Sequence, residues 1–247
     1  MQIVPVMNSQ VFPRQLLTGL FITGTDTSVG KTYLAAQIVR QLVEEGCCAG
    51  AYKPVCSGAK QSISGKLVWE DIEELYLATD AAYSRQLICP QAFEAPLAPP
   101  VAARKENRKV DERLLVQGLK NWEGQADALV VEGVGGWKCP ISESLTVADL
   151  AVEFGFPVLL IARVRLGMIN HTLLTIESIK SSGLNLVGLV LNDMTGECDL
   201  DIADNLAEIE RFASIPYLGS IKFCANLQWN RPPRFQCSQL LGHMTTR

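Results

Sequence analysis

Nine consecutive residues, Gly24-Thr25-Asp26-Thr27-Ser28-Val29-Gly30-Lys31-Thr32, place two glycines ahead of a lysine and a threonine. That pattern suits a loop whose backbone N–H groups wrap an anion. Glycine lets main chain approach closely, the ammonium reaches the outer phosphates, and the threonine hydroxyl can ligate Mg²⁺. The usual spacing would want the first glycine at Thr25; here it sits one residue earlier, at Gly24. Leu17, Leu20, Phe21 and Ile22 form an apolar run before the loop, and Tyr33 opens a segment with helical apolar periodicity after it. Strand, loop, helix is the context a phosphate loop needs, because the helix dipole and its free N–H groups attract anions. Binding of a nucleoside triphosphate is expected.

Other segments could serve the same chemistry. Lys53 and Ser57 lie in Tyr52-Lys53-Pro54-Val55-Cys56-Ser57-Gly58, where an apolar run ends. A lysine at a strand end is ordinarily solvated, but beside a phosphate loop it could neutralise charge on a transferring phosphoryl group. Glu132 closes the run from Ala128 and opens Gly133-Val134-Gly135-Gly136. A carboxylate there is the usual organiser of Mg²⁺, or else an acidic turn residue. Asp71, in Trp69-Glu70-Asp71-Ile72-Glu73-Glu74, reads on its own as an exposed helix N-terminus, where acids are favoured by the dipole. Gly167-Met168-Ile169-Asn170-His171 opens a helix after a strand, a second anion site suited to a carboxylate. Asn192 and Asp193 end another strand; the asparagine could read a base or simply make a turn.

The elements that must hold these residues alternate. Strands are expected over 17–23, 50–55, 128–132, 157–164, 186–192 and 217–221. Helices are expected over 30–45, 70–79, 111–122, 145–154, 169–181 and 204–212, with a proline-rich connection around Pro96, Pro99 and Pro100. Near-continuous apolar strands predict an α/β fold with a mostly parallel sheet flanked by helices, P-loop NTPase-like, in a single domain. Ligands bind such sheets at one rim, beyond the strand ends. The domain is expected over 17–223, with an N-terminal extension at 1–16 and an irregular tail at 224–247.

Composition narrows the function. The 247 residues carry a net charge of −4, which argues against a nucleic-acid binder held by phosphate neutralisation. Eight cysteines without a Cys-x-x-Cys pair are expected to be reduced thiols, and two histidines exclude a histidine-rich metal centre. The first fifteen residues lack the pattern of a secretory signal, and no segment is apolar for long enough to span a membrane. The cytosol is the expected compartment.

The chain resembles the dethiobiotin synthetases, the ATP-dependent cyclo-ligases of biotin biosynthesis. The resemblance rests on Phe21 through Thr32, on Ala51 through Gly58, on Val131-Glu132-Gly133-Val134-Gly135-Gly136-Trp137, on Arg165 through His171, and on Leu191-Asn192-Asp193, in the family's order. The shifted glycine at position 24 is that family's own form of the loop. The resemblance implies a homodimer that binds ATP, Mg²⁺, CO₂ and 7,8-diaminononanoate. It implies that Thr25, Asp26, Thr27, Ser28, Val29, Gly30, Lys31, Thr32 and Tyr33 cradle the phosphates, with Gly133, Val134 and Gly135 nearby. Thr32, Asp71 and Glu132 would order the metal, and Lys31 and Lys53 would be the catalytic cations. Ser57 would touch substrate, and Leu166, Gly167, Met168, Ile169 and Asn170, from a partner subunit, would hold its carboxylate. Asn192, with Asp193 beside it, would face adenine. Many relatives carry Ser-Pro-His where this chain has Ala98-Pro99-Pro100, and Gly-Glu-Ile-Pro-Trp where it has Gly219-Ser220-Ile221-Lys222-Phe223.

Two rival readings use the same loop. Amidotransferase-type ligases add a glutaminase domain, for which this chain is too short and too poor in histidine. ATPase switches of the partitioning or division-site type place an additional lysine early in the loop. Thr23-Gly24-Thr25-Asp26 has none, and no amphipathic membrane-binding tail is evident.

Overall fold

The computed structural model describes residues 17–194 and 202–222. The expected extension at 1–16, the tail at 224–247, Phe223, Cys198, Cys224, Cys237 and His243 lie outside the described residues.

The first strand, β1 (Thr18–Gly24), leads through the glycine loop into α1 (Lys31–Glu44). β2 (Ala49–Tyr52) follows, then β3 (Cys56–Ser57) and a small antiparallel pair, β4 (Lys60–Gln61) with β5 (Leu67–Val68). Helix α2 (Glu70–Ala78), the single turn α3 (Arg85–Ile88), the short strand β6 (Ala92–Phe93) and helices α4 (Pro99–Lys105) and α5 (Glu112–Lys120) precede β7 (Ala128–Glu132). The remainder alternates α6 (Val147–Phe154), β8 (Val158–Arg163), α7 (Met168–Ser181), β9 (Leu186–Asp193), α8 (Ile202–Phe212) and β10 (Tyr217–Lys222).

Six of these strands make one parallel sheet in the order β10-β9-β8-β1-β7-β2. All five residues of β7 and the first five of β8 are buried, as strands covered on both faces must be. Leu34, Ile38 and Leu42 present the apolar face of α1 to this core, where the helix lies against β2 and β7. The expected α/β architecture with a mostly parallel sheet is the observed one.

Register decides what meets at the rim. Ile22 pairs with Glu132, and Tyr52 with Val131. Glu132 therefore closes β7 between the loop that leaves β1 and Lys53, the first residue beyond β2. β2 stops at Tyr52 instead of running to residue 55 because Pro54 has no N–H for a ladder. The Lys53 amide turns aside to the Ile88 carbonyl (2.8 Å), and the chain re-pairs as β3 with β6.

The proline-rich connection also differs from expectation. It contains α4, with Pro99 and Pro100 at its first positions, where a missing N–H leaves nothing unsatisfied. Helix α6 begins at Val147, two residues late, because Thr146 and Asp149 form a capping box. Cys47, Cys48, Cys56, Cys89 and Cys139 are free thiols. Among the described residues no helix is long and apolar enough to cross a membrane.

Trp122, fully buried, anchors the β2 edge. It meets Tyr83 edge-on at 4.8 Å and lies so close over Gly50 that a Cβ there would fall 2.4 Å from its ring. Trp122→Ala should lower stability by about 3–5 kcal/mol, read as a drop in the urea midpoint at unchanged m-value.

Candidate active site

The loop after β1 is bent by two left-handed residues, Ser28 (φ 52°) and Gly30 (φ 99°). Left-handed residues in such a turn direct successive N–H groups into one concavity, an anion nest. Gly30 is required twice over. Its φ suits no side chain, and a Cβ would sit 2.2 Å from Asn192 Nδ2. Beyond it the first-turn amides of α1 have no acceptor within their own helix and lie at its positive end. Three bonds tie the loop down: the Thr25 amide donates to Ile161 O (3.1 Å), Lys31 Nζ to Asp26 O (2.9 Å), and Asn192 Nδ2 to Val29 O (2.9 Å). Asp26 also accepts from the Thr27 amide (2.7 Å) and pairs with Arg165 (2.8 Å).

Beside this loop lies an ionic cluster. Lys53 Nζ is 2.6 Å from Glu132 Oε1 and 2.9 Å from Asp71 Oδ2, and the Thr32 hydroxyl donates to Glu132 Oε1 at 2.8 Å. Lys53 and Glu132 are 2% and 1% exposed, so neither charge is shared with bulk water. Burial alone would push the Lys53 ammonium down, but Glu132 and Asp71 together raise it well above its ordinary value. The same ammonium holds the half-exposed Asp71 carboxyl below the usual range, over the opposing effect of burial. Among the described residues Lys31 has no carboxylate at bonding distance. Burial pushes it down to about 8, and the nearby positive Lys53 adds to the fall while Glu132 opposes it.

These groups line one cavity of about 560 Å³. Its wall takes in Thr27, Ser28, Gly30, Lys31 and Thr32 from the loop, with Lys53, Ser57, Asp71, Glu132, Val134 and Gly135 opposite. The sequence-predicted phosphate, metal and lysine sites thus converge. Asp71, which on sequence alone resembled a solvated helix cap, is bonded into the centre. Its helix α2 packs on α1, and that contact brings it there. The donor set fits Mg²⁺: Thr32, Asp71 and Glu132 offer hard oxygen ligands around the Lys53 ammonium, and Glu132 Oε2 is buried with no hydrogen-bond partner among the described residues.

Other expected residues are placed differently. Thr25 and Thr27 spend their amides on Ile161 and Asp26, so neither is open to a phosphate in this arrangement. Gly133 allows close packing of Val147, whose side chain would meet a Cβ at 2.9 Å. Leu166, Gly167, Met168, Ile169 and Asn170 do not line the cavity: Leu166 is 90% exposed and Met168 is a core residue. Asn192 is wholly buried beneath the loop, not open to the cavity, and Tyr33 and Asp193 lie outside the cavity wall. Sequence reasoning missed Pro96, Leu97, Ala98, Cys139 and Met194, which with Gly58 complete the wall. Ser57 donates to Leu97 O at 2.6 Å, which ties the expected substrate residue to that missed wall. The proline cluster was the one signal that could have marked it, since prolines fix a wall without needing donors.

The parallel sheet and the loop define a P-loop nucleotide-binding fold, and solved structures share it. The septum site-determining protein MinD of Pyrococcus horikoshii, complexed with Mg-ADP, is 16% identical with a TM-score of 0.53, covering 84% of this chain and 82% of its own. The hydrogenase maturation factor HypB of Archaeoglobus fulgidus is 13% identical with a TM-score of 0.54, covering 92% and 90%. At such identity the likeness is one of fold alone. An AAA domain family model matches residues 18–231. The ATP-dependent dethiobiotin synthetase BioD of Anaeromyxobacter sp. (strain Fw109-5) is 42% identical over 226 residues, 92% of this chain and 98% of its own. That of Rhodopirellula baltica is 37% identical over 212 residues, covering 82% and 83%. The chain belongs to the ATP-dependent dethiobiotin synthetase family.

Lys31 supplies a pH signature. Below about pH 8 its ammonium is present in the free protein; above it, anion binding must first recharge the amine. Nucleotide affinity measured by calorimetry should be flat below that pH and fall about tenfold per unit above it. Lys31→Met should bind more weakly and lose that fall. Folding stability has the opposite sign, rising between about 8 and the ordinary lysine value of 10.5, because there the unfolded chain holds more protons.

Proposed function

We propose that this protein is a cyclo-ligase, dependent on ATP and Mg²⁺, that joins CO₂ to 7,8-diaminononanoate and closes the cyclic urea of dethiobiotin, releasing ADP and phosphate. One amine adds to CO₂ and forms a carbamate. A carbamate oxygen takes the γ-phosphoryl group, giving a carbamic–phosphoric mixed anhydride and ADP. The second amine attacks the carbamate carbon and expels phosphate. Amines are good nucleophiles, so the reaction asks for charge neutralisation and positioning more than for general acids or bases.

The observation that carries this reading is the pairing of two buried lysines, Lys31 and Lys53, with a phosphate loop in one cavity. Lys31 would steady the phosphates and Lys53 the carbamate and the transferring phosphoryl. Thr32, Asp71 and Glu132 would hold Mg²⁺, which would supply charge neutralisation on the outer phosphates. Ser57 would contact substrate from the same wall. The Asn192 Oδ1 is buried with no partner among the described residues, which supports its reading as an acceptor for the amino group of adenine. Exposure of Leu166 away from its own cavity supports the reading that 166–170 serves the substrate carboxylate of a partner subunit, in a cytoplasmic homodimer. In that role the buried Met168 would offer only backbone.

The test is a coupled phosphate assay with ATP, Mg²⁺ and bicarbonate, run with and without the diamine. Release should depend on the diamine and on bicarbonate. Release indifferent to the diamine would contradict the ligase and favour a switch-type ATPase.

A further inference from the structure

We propose that Lys53 is a place-holder for the metal: in the nucleotide-free protein its ammonium stands between Glu132 and Asp71 where a divalent cation will bind, and it turns to the reacting groups only when metal–nucleotide enters. This rests on the reading that Thr32, Asp71 and Glu132 form the Mg²⁺ site.

Oxygen valence is the first argument. A carboxylate oxygen offers about two acceptor positions. Glu132 Oε1 already accepts from Lys53 at 2.6 Å and from Thr32 at 2.8 Å, while Asp71 Oδ2 takes a third contact at 2.9 Å from the same ammonium. The face these oxygens turn towards one another is therefore filled by Lys53. Charge is the second. Two neighbouring carboxylates, one of them 1% exposed, repel each other and are costly to bury without a cation. The ammonium meets that need with one positive charge; a divalent ion on the same oxygens meets it with two, and Lys53 becomes surplus there. The third is reach. Lys53 has a flexible four-carbon stem, it lines the 560 Å³ cavity, and Lys31 and Ser57 lie on the same wall. The amine displaced from Glu132 has that cavity to enter.

The consequence is an order of events. The lysine needed to neutralise carbamate and phosphoryl is withheld until metal and nucleotide are in place. Carbamate held before that moment would find Lys53 already engaged.

The experiment titrates MgCl₂ alone, without nucleotide, into wild-type, Lys53→Met and Lys31→Met proteins, following heat and thermal melting. Lys53→Met should bind Mg²⁺ at least about tenfold more tightly than wild type and show the larger rise in melting temperature. Lys31→Met removes a neighbouring buried ammonium that bonds to Asp26 O and not to the carboxylates, so it should gain little. No gain in Lys53→Met, or an equal gain in both variants, overturns the proposal. Should Lys53→Met fold at no Mg²⁺ concentration, NMR of the ¹⁵N-lysine-labelled wild type decides. The Lys53 ammonium signal must shift when Mg²⁺ is added to the ADP complex, and an unmoved signal overturns the proposal. Failure here is distinct from failure of the metal site itself, for which Mg²⁺ would bind neither variant nor wild type, with or without nucleotide.

Discussion

A lysine ammonium enclosed by two carboxylates is the contact on which the rest of this molecule depends. Buried charges persist only when paired and fully bonded, and removing one partner of such a pair typically costs about 3–5 kcal/mol. Lys53, Glu132 and Asp71 come from three elements distant in sequence, so the contact fixes β2, β7 and α2 against one another. Thr32 adds the start of α1 to the same cluster. The geometry of the candidate site and the integrity of the fold are here one set of bonds.

The sheet makes that meeting unavoidable. Placing β7 between β1 and β2 sets the phosphate loop and Lys53 on either side of Glu132, and parallel pairing points all three strand ends towards the same rim. Pro54 then forbids further pairing of β2, and Lys53 is released from the ladder at the level where Glu132 ends. On the other side of β1, the ends of β8 and β9 hold the loop from beneath through Ile161 and Asn192. The loop is thus a rigid cradle whose left-handed turns are braced by neighbours, in keeping with the strain of Ser28 at φ 52°.

Much of this was legible in the residue order. Apolar strands alternating with amphipathic helices gave the parallel sheet, and the glycine loop with Lys31 and Thr32 announced its chemistry through spacing alone. Glu132 was legible as a carboxylate at a strand end beside a phosphate loop, although the same pattern also suits an acidic turn residue. Asp71 was legible only through the family resemblance, because acids at a helix N-terminus are equally explained by the dipole, and the packing of α2 on α1 is what brings it to the cluster. Helix α4 was hidden because prolines signal breaks and helix starts alike. The clamp of Asn192 under the loop was not legible, since sequence gives a strand end no direction. Leu166 to Asn170 were expected to serve a partner subunit's site, and their place outside this chain's own cavity wall is set by tertiary placement that no local pattern encodes.

The central claim is that one cradle, formed by the loop amides and flanked by Lys31 and Lys53, receives a triphosphate beside the diamine. The most direct measurement is a crystal structure with Mg²⁺, a non-hydrolysable ATP analogue and the diamine. The account predicts phosphates against the amides of Gly30 to Thr32, metal on Thr32, Asp71 and Glu132, and the Lys53 ammonium off Glu132 and facing the γ-phosphate. A triphosphate lodged away from that loop, or a Lys53 still bonded to Glu132 beside a bound metal, would contradict it.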